Sequence, residues 1–152
     1  MRNMTLVDYI PSDGQRRIAQ AITEAEKHTS GEICVHVTPH CRGDVMRRAA
    51  QVFNRLGLFR TRHRNAVLVF VAYQDRRLAI LGDVGIDGVV QQDFWDGEVE
   101  LLGQMLRAGR PVDGLCQVIT RLGEKLSALF PAERDDVNEL SNEVTYDEMD
   151  DD

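Results

Sequence analysis

The stretch that decides the fold is A-V-L-V-F-V-A, residues Ala66–Ala72, which contains no polar residue. Seven consecutive apolar residues, three of them valines, are typical of a central β-strand that is covered on both faces. Upstream, residues 32–37 (E-I-C-V-H-V) alternate in pattern and predict another strand. Downstream, a short turn at residues 73–76 precedes R-L-A-I-L, residues 77–81, which predicts a returning third strand.

Apolar residues at helical spacing predict four helices around these strands, over about residues 12–28, 44–56, 94–107 and 111–130. Ser12-Asp13 and Gly43-Asp44 supply helix-start signals, and Gly57 supplies a stop. A strand–helix–strand unit should form a right-handed parallel crossover, whereas the short turn makes the third strand antiparallel to its neighbour. The predicted fold class is α/β, a three-layer α/β/α sandwich around a small mixed β-sheet.

Length and composition indicate one domain, since the chain has 152 residues and 43% of them are hydrophobic. We assign residues 12–131 to this α/β domain. Residues 1–11 are expected to form an N-terminal lead-in. Residues 132–152 are expected to form an acidic C-terminal tail that is partly docked on the domain, with its end disordered.

Two observations concern the compartment. No apolar stretch approaches the ~18 residues of a membrane span, and the N-terminus lacks the apolar run of a signal peptide. The three cysteines, Cys34, Cys41 and Cys116, show no metal-ligand spacing, and their odd number is a poor disulfide framework. We therefore expect a cytoplasmic protein.

Most of the net charge of −7 belongs to the tail. Residues 133–152 contain ten acidic residues and one basic residue, which leaves the other 132 residues near neutrality. Scattered basic residues and a tail that repels phosphates argue against nucleic acid as a partner. An extended segment of the tail, which begins with D-D-V-N-E-L, is expected to pack against the domain. Its apolar residues would hold it there, and they are Val137, Leu140, Val144 and Tyr146. Another protein is the expected partner of such a segment.

The segment L-G-D-V-G-I-D-G-V-V-Q-Q-D-F-W-D, residues 81–96, contains four aspartates and three glycines. Carboxylates are the oxygen ligands that Ca²⁺ and Mg²⁺ prefer, and glycine lets the backbone turn around an ion. The alternative is a solvated loop in which the aspartates cap helices and turns. The candidate ligands in this segment are Asp83, Asp87, Asp93 and Asp96.

The predicted topology adds a carboxylate to this set. Because the third strand is antiparallel, its end lies beside the beginnings of the other two, so that Asp83, Glu32 and Asn65 become neighbours. Clustered carboxylates repel one another unless a cation neutralises them, which favours a weak divalent-cation site at this edge. A salt bridge between Glu32 and Arg64 is the competing structural explanation.

Three other features have both a functional and a structural interpretation. The string His40-Cys41 to Arg47 has the H-C-x₅-R skeleton of a cysteine-dependent phosphatase loop, but Asp44 would oppose both thiolate formation and phosphate binding. The structural alternative is that Asp44 caps the next helix while Arg47 and Arg48 are solvated. Trp95 is expected to be a core anchor. His36 is expected to be a half-buried structural histidine.

Several strings together resemble the TPM domain family, from about residue 12 to residue 146. They include T-S-G-E-I-C-V-H-V, C-R-G-D-V-M-R-R-A-A-Q-V-F-N-R-L-G-L, R-N-A-V-L-V-F-V-A, A-I-L-G-D-V-G-I, D-F-W-D and D-D-V-N-E-L. The resemblance implies an α/β sandwich, binding of Ca²⁺ or Mg²⁺ in some members, and an acid-phosphatase activity in plant relatives. By matching position it implies Asp83, Asp93 and Asp96 as ligands, to which the edge argument adds Asp87 and Glu32.

Many members of that family carry an export signal and a C-terminal membrane helix, which points this sequence to a shorter cytoplasmic branch. Two functions are compatible with these patterns. The first is a non-catalytic binding module that engages another protein through the aspartate loop or the acidic tail. The second is a metal-dependent acid phosphatase acting on small phosphate esters, which would need a nucleophile or base beside the ion.

Overall fold

The structure, a computed structural model, describes residues 4–133 and 142–147. In chain order the elements are α1 Leu6–Tyr9, α2 Ser12–Glu26, β1 Glu32–Thr38, α3 Val45–Arg55, β2 Ala66–Ala72, β3 Arg77–Gly82, α4 Val84–Asp87, α5 Gln92–Arg107, α6 Pro111–Leu129 and β4 Thr145–Tyr146. The strands form one mixed sheet in the order β3-β2-β1-β4.

The two central strands, β1 and β2, are parallel and pair from Glu32↔Ala66 to Thr38↔Ala72. Every residue of both strands is buried. Strand β3 pairs antiparallel with β2. The strand assignments and the crossover through α3 are therefore confirmed, because long apolar runs with short turn signals leave few alternative pairings.

Helices cover both faces of the sheet. Helices α2, α5 and α6 pack on one face around the alternate residues Ile33, Val35 and Val37 of β1. Helix α3 covers the other face, where Cys34 of β1 and Phe70 of β2 meet its apolar side. The predicted three-layer α/β/α sandwich is confirmed.

The first and last parts of the described chain also pack on this sandwich. Residues expected as a lead-in contain α1, which begins with a capping box at Thr5, and the fully buried Ile10. Strand β4 pairs parallel with β1 at His36↔Thr145 and Val37↔Tyr146. The D-D-V-N-E-L arm predicted to dock lies at residues 135–140, outside the described residues. No helix in the described part of the chain is long and apolar enough to cross a membrane.

Candidate functional site

Asp83, the first predicted metal ligand, follows β3 and caps the short helix α4. Its carboxylate accepts a hydrogen bond from the Val84 amide at 2.8 Å and two from the Arg64 guanidinium, at 2.7 and 2.9 Å. The Asp83 side chain is only 4% exposed. Both of its oxygens are already engaged, so Asp83 has the cap and ion-pair role rather than that of an open ligand.

The loop that carries Arg64 is held tightly against α4. Arg64 adopts a left-handed backbone conformation with φ 51°, which is uncommon outside glycine. The Gly85 amide donates a hydrogen bond to the Arg64 carbonyl at 2.8 Å. A Cβ at Gly85 would lie 2.2 Å from the carbonyl oxygen of His63, so this close approach requires glycine.

Glu32 lies at the same edge, as the topology predicts, but on the other side of β2. The Glu32 amide donates to the Asn65 carbonyl at 3.4 Å, and the Asn65 amide group donates to the Ser30 hydroxyl at 3.3 Å. Strands β3 and β1 are two strand spacings apart, roughly 10 Å, which separates Glu32 from Asp83. Arg64 pairs with Asp83 rather than with Glu32.

The other predicted ligands, Asp87, Asp93 and Asp96, are exposed on the outer surface of α4 and the first turns of α5. Asp96 accepts a hydrogen bond from Gln92 at 2.9 Å. In residues 4–133 and 142–147, no three His, Cys, Asp or Glu side chains are grouped so that they could hold a metal ion. The structure therefore does not assemble the five predicted carboxylates into one centre.

A different pair of carboxyl groups shares a cavity at this edge. The cavity, about 340 Å³, opens between the end of α2 and the beginning of β1. We call it the acidic cavity, and its lining includes Glu26, Glu32, Glu133, Lys27, Asn142, Thr29 and Ser30. Glu133 is ion-paired with Arg62 and His63. The cavity joins one predicted ligand, Glu32, to two acidic residues that were not predicted.

Glu26 is the group that the acidic cavity perturbs most. One of its oxygens accepts a hydrogen bond from the Ile33 amide at 2.9 Å. Burial raises the pKa of Glu26 to about 8, the Ile33 amide opposes that rise, and the nearby charge of Glu32 adds to it. Glu32 itself is 4% exposed. A carboxyl group with this pKa is mostly protonated at neutral pH and exchanges its proton near pH 8.

A helical signal could have identified Glu26. It follows Ile18 and Ile22 at intervals of four residues, and both isoleucines are fully buried on α2. The same face therefore continues into Glu26, a carboxyl group at a position where the pattern calls for an apolar residue. The glutamates of this helix are predicted to lie on its polar face, and for Glu26 that prediction is wrong.

The H-C-x₅-R string forms a structural loop. The Asp75 carboxylate accepts a hydrogen bond from the Cys41 amide at 2.7 Å and lies 2.9 Å from the His40 ring. Cys41 is 4% exposed, and Asp44 caps α3 by accepting from the Met46 amide at 3.0 Å. A carboxylate thus holds an amide that a phosphate would need, which opposes cysteine catalysis. The predicted cap at Asp44 and the solvated Arg47 are confirmed, but the prediction that Arg48 is solvated is wrong, because its side chain is only 14% exposed.

Two further predictions concern packing. Trp95 is 6% exposed within the main core, so its predicted role as a core anchor is confirmed. His36, predicted to be half-buried, is 1% exposed, because α3 and the residues around β4 cover the face on which it lies.

The fold and the edge geometry define a class of small α/β sandwich domains with parallel central strands. Two solved structures are similar to this chain. BA42 from the psychrophilic bacterium Bizionia argentinensis, solved by NMR, is 36% identical over 93% of this chain and 98% of its own, with a TM-score of 0.86. The N-terminal domain of cg2496 from Corynebacterium glutamicum is 16% identical over 84% of this chain and 79% of its own, with a TM-score of 0.62, and shows the fold alone.

The chain belongs to the TPM domain family, whose model matches residues 6–125. A comparison with curated proteins gave no match. The family predicted from the sequence is therefore confirmed.

Proposed function

We propose that this TPM domain is a non-catalytic binding module that takes up Ca²⁺ or Mg²⁺ weakly at the acidic cavity. Glu32 and Glu26 are its principal ligands. The observation that carries the proposal is that the buried Glu32 and the half-buried Glu26 line one cavity, where desolvation raises the pKa of Glu26 to about 8. A bound cation would take the place of the Glu26 proton beside the Glu32 carboxylate.

The same observation explains why the affinity would be weak. A carboxyl group of pKa about 8 is roughly 90% protonated at pH 7, so a cation must displace a proton before Glu26 can bind it. The neutral oxygens of Ser30, Thr29 and Asn142, which also line the cavity, suit a hard cation but add no negative charge.

Asp93 and Asp96, one turn apart at the beginning of α5, form the competing ligand set. Both are exposed, and water would complete the coordination of an ion held there. Asp83 is left out of both sets because Arg64 engages its carboxylate. Asp87 belongs to the partner face described below.

A backbone amide NMR titration with Ca²⁺ and Mg²⁺ tests the two ligand sets. We expect shifts at residues 26–33 in the wild type, no such shifts in Glu32→Gln, and unchanged shifts in an Asp93→Asn/Asp96→Asn variant. Shifts at residues 92–97 that disappear in the aspartate variant would move the site to α5. Absence of localised shifts in all three proteins would remove the cation from the proposal.

The binding partner would be another protein, recognised through the outer surface of α4 and the beginning of α5. Val84 is 70% exposed and Val89 is 61% exposed, and the exposed residues Asp87, Asp93 and Asp96 belong to the same short stretch of chain. Exposed apolar residues with charged neighbours are typical of a protein-binding patch. The partner should present an apolar patch flanked by lysine or arginine. The acidic tail is the other candidate surface.

Loss of partner binding in a Val84→Ser/Val89→Ser variant tests this face. Val7→Ser is the matched control, because Val7 is 58% exposed on α1. Equal binding by both variants would contradict the assignment of this face. We keep the cytoplasm as the proposed compartment, on the cysteine pattern of the sequence.

One observation favours the second function, a metal-dependent acid phosphatase acting on small phosphate esters. Protonated Glu26 at the cavity could donate a proton to a leaving group. Hydrolysis of an aryl phosphate with Mg²⁺, lost in Glu26→Gln and kept in Asp93→Asn/Asp96→Asn, would replace the binding-module proposal. No hydrolysis by the wild-type protein would leave the binding module in place.

A further inference from the structure

A cluster of nitrogen-bearing side chains lies near the other end of β1, on the face that α3 covers. His36 is 1% exposed, and its ring stacks on Phe70 with 6.2 Å between ring centroids and 8° between planes. Arg55 of α3 places its Nη2 atom 3.5 Å from the His36 Nε2 atom. Arg48 lies two turns earlier on the same helix face, and its side chain is 14% exposed.

Within residues 4–133 and 142–147, the carboxylate of Asp147 lies among these three groups. An oxygen of Asp147 is 3.0 Å from the His36 Nε2 atom. Arg55 Nη2 donates to both Asp147 oxygens, at 3.1 and 3.3 Å, and Arg48 Nη2 is 3.9 Å from one of them. The Asp147 side chain is 14% exposed, whereas the Arg55 side chain is 44% exposed, so the carboxylate is shielded from water on the His36 side and Arg55 remains within reach of solvent.

We propose that His36, Arg48 and Arg55 form an oxyanion-binding site that the Asp147 carboxylate occupies, and that a phosphate group takes its place when residues 142–147 leave the edge of β1. The ligand class is a phosphate monoester or free phosphate. The C-terminal segment is then a self-ligand that keeps the site closed.

The chemistry of the three groups fits a phosphate better than it fits the carboxylate. Two guanidinium groups and an imidazole approach from two secondary-structure elements, α3 and β1. A tetrahedral dianion accepts hydrogen bonds from several directions at once, whereas a carboxylate has two oxygens in one plane. Stacking on Phe70 fixes the His36 ring, so the site needs little rearrangement to receive the larger anion.

The closing segment is held by the buried side chain of Val144 and by a short strand. Strand β4 pairs with β1 through two residues, Thr145 and Tyr146, and the Tyr146 side chain is 46% exposed. The Thr145 hydroxyl donates to the Val35 carbonyl at 3.2 Å and lies 2.7 Å from the His36 Nδ1 atom. Departure of this short strand would expose both ring nitrogens of His36 together with the arginines.

This site is separate from the acidic cavity. Four residues of extended strand, about 13 Å, lie between Glu32 and His36 on β1. Departure of residues 142–147 would also remove Asn142 from the acidic cavity, but the charged groups of the two sites are different. Glu32→Gln removes a cation ligand only, and Arg55→Gln removes a phosphate ligand only. The two proposals therefore have independent tests.

The experiment is a titration of the full chain with sodium phosphate at pH 7.5, followed by the His36 ring and backbone amide NMR signals. Sodium chloride keeps the ionic strength constant. We expect Asp147→Asn to reach half-saturation at a phosphate concentration about tenfold lower than the wild type, because the competing carboxylate is gone. A chain ending at residue 146 should behave in the same way. It removes the same carboxylate, so the proposal can still be tested if the point variant does not fold.

Two double variants complete the test. Asp147→Asn/Arg55→Gln should lose the phosphate response, whereas Asp147→Asn/Arg47→Gln should keep it, because Arg47 is an exposed arginine on the same helix. Equal responses in wild type, Asp147→Asn and the shortened chain would overturn the proposal. Equal losses with Arg55→Gln and Arg47→Gln would also overturn it, since they would indicate nonspecific attraction. Binding of phenyl phosphate in the same range would support a phosphate ester as the ligand, and binding of inorganic phosphate alone would support the free ion.

Discussion

Arg64 donates two hydrogen bonds to Asp83, through Nε at 2.7 Å and Nη2 at 2.9 Å, and so joins the beginning of β2 to the beginning of α4. The carboxylate also caps α4. A residue predicted to bind a metal ion is thereby part of the scaffold. Substitution of Asp83 should therefore change the stability of the fold, whereas substitution of a metal ligand would change cation affinity.

Replacement of Asp83 should lower stability without changing cation affinity. We expect Asp83→Ala to lower the free energy of unfolding by roughly 1–3 kcal/mol, because it removes a helix cap and leaves Arg64 without its carboxylate. Asp83→Asn should cost less, since asparagine also caps helices. Urea denaturation measures the loss, and a weaker Ca²⁺ or Mg²⁺ affinity in the folded Asn variant would contradict this assignment.

Substitution of Gly85 should be poorly tolerated. A Cβ at this position would lie 2.2 Å from the His63 carbonyl oxygen, so Gly85→Ala must displace the Arg64 loop and should cost about 2 kcal/mol or more. Gly88→Ala is the matched control, because no atom lies within 4 Å of its added Cβ. Similar melting temperatures for the two variants would argue against the close approach of this loop.

Stability should depend on pH through Glu26. Its pKa rises on folding from the ordinary value of 4.5 to about 8, mainly through burial, so the folded state holds a proton that the unfolded state releases. This contribution is complete below pH 4.5 and is lost as pH rises to 8. We expect the free energy of unfolding to fall by an amount on the order of a few kcal/mol over that range. Glu26→Gln should flatten the profile, and a wild-type profile that rises over the same range would contradict it.

Cation affinity should have the opposite pH dependence. Deprotonation of Glu26 makes the ligand available, so Ca²⁺ and Mg²⁺ affinity should increase about tenfold between pH 6.5 and 8 and then level off. Calorimetry in buffers of different ionisation enthalpy would detect the released proton. In Glu26→Gln the affinity should be low and independent of pH. An unchanged pH dependence in that variant would exclude Glu26 as the titrating ligand.

The C-terminal segment should contribute to stability mainly through Val144. Val144 is 8% exposed in the main core, whereas Tyr146 is 46% exposed. We expect Val144→Ala to cost roughly 1–2 kcal/mol and Tyr146→Ala less than half of that. Urea denaturation distinguishes them. Equal, small effects would show that this segment adds little to the folded state in solution.

The sequence predicts the central sheet well because its signals are local and strong. A run of seven apolar residues at β2 and the alternation at β1 follow directly from burial on two faces. The meeting of strand ends at one edge follows from topology alone. Which side chains pair there does not, because the choice of Arg64 between Asp83 and Glu32 depends on a left-handed backbone and a contact at Gly85.

The functional groups that sequence analysis missed share a cause. Glu26 and Arg48 are charged residues on helices, where the default expectation is a solvated position. Glu26 lies in line with buried isoleucines, and Arg48 and Arg55 are two turns apart on α3, but neither spacing is decisive without the partner element. For Arg48 the partner is Asp147, which directly follows β4. Strand β4 is distant from β1 in sequence, since Thr145 lies 109 positions after His36.

That separation has a consequence for synthesis of the protein. Translation produces His36 of β1 109 residues before Thr145 of β4, so one edge of a fully buried central strand stays without its neighbour over that interval. Unpaired edges of apolar strands are templates for pairing between chains. Nascent chains interrupted before residue 142 should therefore aggregate in proportion to the time they spend in that state, and faster synthesis of the residues between β1 and β4 should raise the yield of folded protein.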